Sequence, residues 1–319
     1  MKKMISLFLL LLMIFTMATV GGTPAFAEAQ MDKSAPYLTL HTELIELPMN
    51  GTKQISYDTN ADIVTWTSDN PEVVSVDNNG LVTALKVVYD DTWITASIPD
   101  GNGGTIEQRC LVYTYFIDVY GEYPYYFFPV YWAFGQNITT GYTDSRGNQT
   151  GYFGPDDPCT RGQIVTFMYR FLKDTFPADT GDVTAFSDVK KKTYYYDAVK
   201  WAVANGITTG YTDENGNPTG EFGPDDICTR AQIVTFIYRL LRDEWPQTVD
   251  ISGVNYKDVK KNTYYYDAVR WAVAAGITTG FTDANGNPTG RFGPNQNCTR
   301  GQAVTFIYRI GFESDWYFS

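Results

Sequence analysis

The chain has 319 residues, with 24 Lys or Arg against 36 Asp or Glu and a formal charge of −12. That length accommodates two or three domains. The acidic balance excludes a nucleic-acid or anionic-membrane surface built from clustered cations, so an anionic partner has to be met locally.

The chain opens with Lys2 and Lys3, runs apolar from Ile5 to Phe15 and reaches Ala25-Phe26-Ala27, the small-x-small form of a secretory cleavage site. Residues 1–27 are therefore expected to be a signal peptide and Glu28 the mature start. A retained anchor is the alternative reading, but the apolar run is short and precedes a cleavage site. No membrane span is expected after signal removal, and residues 28–36 are expected as an irregular lead-in.

From residue 37 to 115 the pattern is β. Ile63 to Thr67, Val73 to Val76, Leu81 to Ala84 and Trp93 to Ala96 are short strand-like runs. Asp69-Asn70-Pro71, Asp77-Asn78-Asn79-Gly80 and Asp100 to Gly104 punctuate them. Regular short strands with turn signals predict a β-sandwich. Trp66 to Pro71, then Val73, Val76-Asp77 and Gly80 to Ala84, resemble the bacterial group 2 Ig-like domain. The glycine usual before that family's last core strand is absent, and Val87-Val88-Tyr89-Asp90-Asp91 stands there, which leaves the strand's register open. The lone His41 belongs to this region, and its being single excludes a multi-histidine metal site.

From Phe116 onward the sequence repeats: Asp118, Asp188 and Asp258 correspond, as do Trp132, Trp201 and Trp271. A period of about 70 residues implies one supersecondary unit per repeat, each completing its core against its neighbours. In the second copy, a helix is predicted from Tyr194 to Asn205, with Ala198, Trp201 and Ala202 on one face. Gly206 sits where a left-handed C-cap is wanted and Ile207 where its apolar contact belongs. Asn215-Gly216 then marks a turn or small hairpin before a second helix.

That second helix opens on a phrase present three times: Cys159-Thr160-Arg161-Gly162-Gln163, Cys228-Thr229-Arg230-Ala231-Gln232 and Cys298-Thr299-Arg300-Gly301-Gln302. Thr as N-cap and Gln three residues on form a capping box, with the Cys placed as a hydrophobic staple. Arg161, Arg230 and Arg300 do not fit this logic, since a cation in the first turn opposes the helix dipole at a cost of roughly 0.3–1 kcal/mol. Two readings remain open. The guanidinium meets an anion at the helix N-terminus, or it pairs with a nearby acid such as Asp225 or Asp226. The three repeat cysteines are expected to be small buried hydrophobes, with a disulfide as the alternative.

Phe186-x-Asp188-Val189, Tyr194, Ala198-Val199, Gly206-Ile207, Gly210, Asp213, Phe222-x-Pro224 and Thr229-Arg230-Ala231-Gln232 resemble the S-layer homology motif in order and spacing, and the pattern recurs in the flanking copies. The resemblance implies a pseudo-threefold, mainly α unit whose inter-repeat grooves bind secondary cell-wall polysaccharide, commonly through a pyruvylated sugar. It implies a secreted protein held noncovalently on a Gram-positive-type cell wall. It further implies that Arg161, Arg230 and Arg300 face outward onto the ligand's anionic group, while Asp118, Asp188 and Asp258 and the backbone at Gly141, Gly210 and Gly280 line the same grooves.

Two departures stand out. The family usually closes its Thr-Arg phrase with Glu, where this chain has Gln163, Gln232 and Gln302. The first repeat also has Tyr123 to Pro129 in place of Thr-Tyr-Tyr-Tyr-Asp-Ala and lacks the lysines of 190–192 and 260–261, so its groove, with Arg161, is expected to be altered.

Tyr194 and Tyr264 can stack on sugar rings, although at least one tyrosine of each trio is expected in the core. Asp213, Asn215 and Asn217 have calcium-loop spacing, but Pro218 stands where an EF-hand needs glycine, and neither a metal nor a cofactor is expected. No Gly-x-Ser-x-Gly, His-Glu-x-x-His or phosphate-loop motif appears, and the modules use nearly the whole mature chain, so no catalytic residues are expected.

The expected order is signal peptide 1–27, lead-in 28–36, Ig-like sandwich 37–115, and repeats 116–172, 186–242 and 256–312. Connectors at 173–185 and 243–255 separate the repeats, and a tail follows at 313–319. Wall anchoring is the expected function. The alternative is an adhesin whose Ig-like domain binds a host or matrix protein while the repeats only anchor it.

Overall fold

The computed structural model describes residues 35–121, 124–181, 186–244 and 249–312. The expected signal peptide, nearly all of the lead-in and the tail at 313–319 lie outside the described residues.

The N-terminal region is β-rich. Strands β1 (Leu38–Leu40), β2 (Leu44–Pro48), β3 (Thr52–Gln54), β4 (Tyr57–Thr59), β5 (Thr65–Ser68), β6 (Val74–Val76), β7 (Leu81–Ala84), β8 (Thr92–Pro99) and β9 (Thr105–Tyr115) form it. One sheet runs β2-β9-β8-β5, a second β3-β7-β6, and β1 pairs with β4. β2 lies parallel to β9, with Leu44 opposite Leu111, while the other pairs are antiparallel. Period-2 alternation places Ile94, Ala96 and Ile98 of β8 inward. Ile45, Leu47, Ile94, Cys110 and Val112 of the first sheet share a core with Val74, Val82 and Ala84 of the second.

The turn signals act through their carboxylates. Asp77 Oδ1 accepts the N–H of Asn79 and Leu81, and Asp100 Oδ1 those of Asn102 and Gly104. These bonds hold both carboxyls below their ordinary acidity range. The strand expected from Ile63 begins only at Thr65, and Ile63 itself is exposed.

The departure at 87–91 forms no strand and instead joins the two regions. Val87 is fully buried within the core of the helical repeats, and its N–H donates to Gln149 Oε1 at 2.9 Å. The Tyr89 ring lies against Gly135, where a Cβ would stand 2.9 Å from it. Met49 packs on the same core, Tyr115 stacks on Tyr120 at 4.1 Å, and the Tyr120 hydroxyl donates to Glu46.

The repeats contribute α1 (Phe127–Gly135), α2 (Arg161–Leu172), α3 (Tyr196–Ala204), α4 (Arg230–Leu241), α5 (Tyr266–Ala274) and α6 (Arg300–Phe312). Helices α3 and α5 end as the sequence predicts. Gly206 has φ +68° and donates to Val203, while the Ile207 N–H reaches back to Ala202, the bond pattern of a Schellman cap. Asn137, at φ +57°, takes the same left-handed position after α1.

The long-range packing runs between repeats: α2 lies on α3, α4 on α5, and α6 back on α1. At the centre, three backbone bonds close a circuit. The Cys228 N–H donates to Cys159 O (2.9 Å), Cys298 to Cys228 O (2.8 Å), and Cys159 to Cys298 O (2.8 Å). All three cysteines are free and buried. Burial pushes their thiols up, that of Cys298 to about 12, as it pushes Cys110 to about 11. Thiolates, the reactive form, are therefore suppressed. The folded protein should leave all four thiols unlabelled by a thiol reagent at pH 8, and denaturant should release all four for titration. Prompt labelling of the folded chain would contradict the buried ring.

Candidate functional site

The helix that opens each Cys-Thr-Arg phrase is set by its cap. In α2 and α4 the Thr160 and Thr229 hydroxyls accept the N–H of Gln163 and Gln232, whose amide oxygens accept the Thr N–H in return. In α6 the Gln302 N–H still donates to Thr299, but Gln302 Oε1 also accepts Arg230 Nη1 at 3.2 Å.

Each helix start is received by the loops of another repeat. Arg161 Nε donates to Phe222 O (2.8 Å), Arg230 Nε to Phe292 O (3.0 Å) and Arg300 Nε to Phe153 O (2.8 Å). The backbone follows the same circuit, with the N–H groups of Arg161, Arg230 and Arg300 donating to Asp226, Gln296 and Asp157. The seam around Arg161 therefore combines repeat one with repeat two, and that around Arg230 repeat two with repeat three. Arg300 joins repeat three to repeat one.

This geometry corrects two expectations and closes the alternative of an Asp partner. The arginines do not stand outward, because each is only 3% exposed. Nor does Arg161 pair with Asp225 or Asp226. Its guanidinium lies over the rings of Tyr211 (4.4 Å), Phe222 (4.6 Å) and Phe236 (5.3 Å). Arg230 has the same cage in Phe281, Phe292 and Phe306, and Arg300 in Tyr142, Phe153 and Phe167. The aromatic faces offset the desolvation that burial imposes on the cation. Among the described residues, the Nη groups of Arg161 and Arg300 have no protein partner. The buried polar atoms left unpaired there are Trp66 Nε1 and Thr92 Oγ1, so these Nη edges touch solvent. The second correction follows from the circuit: the altered loop of repeat one lies beside Arg300, and Arg161 faces the unaltered loops of repeat two.

The other expected residues gather at the same seams. Asp188 accepts the N–H groups of Phe222 and Gly223 at 3.0 and 2.7 Å, and so fixes the carbonyl that Arg161 uses. Asp118 holds Phe153 and Gly154, and Asp258 holds Phe292 and Gly293, in the same way. Gly141, Gly210 and Gly280 have φ of +73°, +78° and +74°. A Cβ on Gly210 would meet Glu221 O and the Phe186 ring at 2.5 Å. Tyr194 and Tyr264 are exposed, and their hydroxyls reach the capping threonines Thr160 and Thr229 of the preceding repeat. Tyr195 and Tyr265 are the buried members of the trios.

Tyr125 occupies the equivalent place against Thr299, a residue missed because repeat one carries one extra residue before it. The cage was also missed; its visible signal, a Phe six residues after each Arg, encloses not that Arg but the one from the preceding repeat of the circuit. At the hairpins, Asp213 Oδ1 accepts the N–H of Asn215 and Asn217 and its Oδ2 accepts Asn217 Nδ2, which turns the calcium-spaced carboxylate onto its own loop. Asp144 and Asp283 do the same.

Residues 116–165, 185–234 and 255–304 match the S-layer homology domain. The chain carries three S-layer homology domains. Residues 49–89 match the bacterial Ig-like domain (group 2). A cell surface protein of Thermoanaerobacter kivui is 34% identical over 136 residues, which are 42% of this chain and 16% of that one. A cellulosome-anchoring protein of Acetivibrio thermocellus is 25% identical over 51% of this chain and 34% of its own length. An endoglucanase of Bacillus sp. strain KSM-635 is 30% identical over 46% of this chain and 14% of its own. In each case the match spans well under two thirds of the relative. Among the described residues no helix is long and apolar enough to cross a membrane.

Within an S-layer homology repeat the Asp carboxylate is the anchor of the loop that receives the neighbouring Arg. Asp188→Ala removes two charge-assisted hydrogen bonds and should destabilise the fold by about 2 kcal/mol, read as a lowered urea midpoint. An unchanged midpoint would show that the loop does not need the carboxylate.

Proposed function

We propose that the three S-layer homology repeats form a pseudo-threefold unit that holds this chain noncovalently on the outside of a bacterial cell wall. They do so by binding secondary cell-wall polysaccharide, through a pyruvylated sugar, at the seams between repeats. The Ig-like region is then a β-sandwich carried on this anchor.

The observation that supports the reading is the composite seam. Two repeats bring a caged guanidinium, a carboxylate-held Phe-Gly-Pro loop and an exposed tyrosine to one place. The buried cation is held by rings and one carbonyl with no acid spent on it, so an incoming carboxylate finds its charge unneutralised. Solvent exclusion strengthens that attraction. Tyr194 and Tyr264 offer a ring face to a sugar, with their hydroxyls beside the capping Thr. The caps orient a helix N-terminus at each seam, which adds partial positive charge.

The relatives agree with a portable anchor. A cell surface protein, a cellulosome-anchoring protein and an endoglucanase share a stretch of this kind, which is 16%, 34% and 14% of their respective lengths. An anchoring role needs no catalytic group in this part of the molecule.

The purified chain should co-sediment with isolated cell walls and be lost from walls whose polysaccharide has been extracted with hydrofluoric acid. Equal retention on extracted walls would replace polysaccharide binding by adhesion to another wall component. Tyr194→Ala and Tyr264→Ala together should weaken retention about tenfold or more without lowering the unfolding midpoint, because both rings are exposed.

A further inference from the structure

The three seams share the same cage, the same Asp and the same glycine turn, yet they differ in charge. Around Arg161, the receiving loops of repeat two carry Lys190, Lys191 and Lys192 against Asp188, Glu221, Asp225 and Asp226. The charges cancel. Around Arg300, the described loops of repeat one supply Asp118, Asp156 and Asp157, and their Arg146 is matched by Asp144 in the same hairpin. That seam is acidic.

Around Arg230 the balance runs the other way, although Asn262 stands where repeat two has Lys192. Lys257 stands where repeat two has Ser187, Lys260 and Lys261 follow, and Arg291 replaces Glu221. Asn295 and Gln296 replace Asp225 and Asp226. Phe281 replaces Tyr211, and with it goes the Tyr211 to Asp226 hydrogen bond of 2.9 Å that keeps a carboxylate beside the Arg161 cage. The nearest acid, Asp258, is turned onto the N–H groups of Phe292 and Gly293. Arg230 also donates to the neutral Gln302, where a glutamate would have neutralised it.

These cations belong to the loops that frame the site. Lys257 N–H donates to Gly290 O, and Arg291 immediately precedes the Phe292 whose carbonyl accepts Arg230 Nε. Lys260 O is bonded by Thr263, next to Tyr264, whose hydroxyl meets Thr229 at the start of the same helix. All four cations are exposed, so they are free to meet a ligand. On the first helix and hairpin, Asp197 and Asp213 in one seam match Asp267 and Asp283 in the other, while Glu214 has Ala284 as its counterpart.

We infer that the seam between repeats two and three is the one that captures the anionic group of the wall polymer, while the seams at Arg161 and Arg300 are left for uncharged sugar contacts. This rests on the wall-polysaccharide reading given above. A carboxylate approaching a chain of net charge −12 is repelled over most of the surface, and charges within about 8 Å of its docking position dominate at physiological salt. Attraction is concentrated where cations outnumber acids.

The test compares two charge-matched variants of the full chain by sedimentation with purified walls. Lys260→Glu/Lys261→Glu/Arg291→Glu should lose at least tenfold in affinity and show a flatter salt dependence. Lys190→Glu/Lys191→Glu/Lys192→Glu, which makes the same change in net charge at the other seam, should lose less than threefold. Equal losses, a larger loss in the second variant, or wild-type binding by the first would each overturn the assignment while leaving wall anchoring intact. Wild-type chain that fails to bind walls, or binds extracted walls equally well, would instead overturn the anchoring reading itself. All six side chains are exposed, so unchanged unfolding midpoints verify that folding is not what is being read.

Discussion

The repeats depend on one exchange: each gives the start of its second helix to another repeat and receives one in return. The circuit Cys159 to Cys228 to Cys298 and back is made of backbone hydrogen bonds, and the Nε bonds of Arg161, Arg230 and Arg300 run parallel to it. A cation in the first turn works against the helix dipole, which on its own is a misfit. Placed in a neighbour's aromatic cage it becomes a cross-strut, with three ring faces and a carbonyl compensating for lost water. The same residue thus ties the unit together and keeps charge at its seams.

Much of this was legible in the sequence because it is local. Thr229 and Gln232 announce a capping box through their spacing, and Gly206-Ile207 announce a helix end, since both depend on bonds within a few residues. Turn acids such as Asp77 and Asp100 are equally local. What the sequence hid is the direction of the exchange. A repeat shows that Arg161 and Asp188 recur, but a period is indifferent to whether Arg161 meets the loops of its own copy or of the next. Only closure of the circuit decides that, and it moves the altered loop of repeat one from Arg161 to Arg300. Burial of the arginines was hidden for a related reason: the rings around each come from the receiving repeat, as Tyr211, Phe222 and Phe236 do for Arg161.

The Ig-like region shows how a departure from a family pattern carries information of its own. The missing glycine at 87–91 left a strand register undecided. In its place stands a segment whose Val87 enters the repeats' core and whose Tyr89 covers Gly135. Together with Met49 and the Tyr115–Tyr120 stack, it makes the junction a packed joint between the two regions.

The closed circuit also fixes how many copies the unit can hold. In an open solenoid, duplication or loss of one copy only lengthens or shortens the stack, because the terminal copies are capped by their own polar faces. Here the third copy's α6 rests on α1 of the first, and Cys159 takes its acceptor from Cys298. Deleting a copy would strip partners from both survivors, and inserting a fourth would have to open every angle of the ring. Copy number in this architecture is set by geometry, so evolution can vary the loops of each copy separately but cannot tune binding by adding or dropping one.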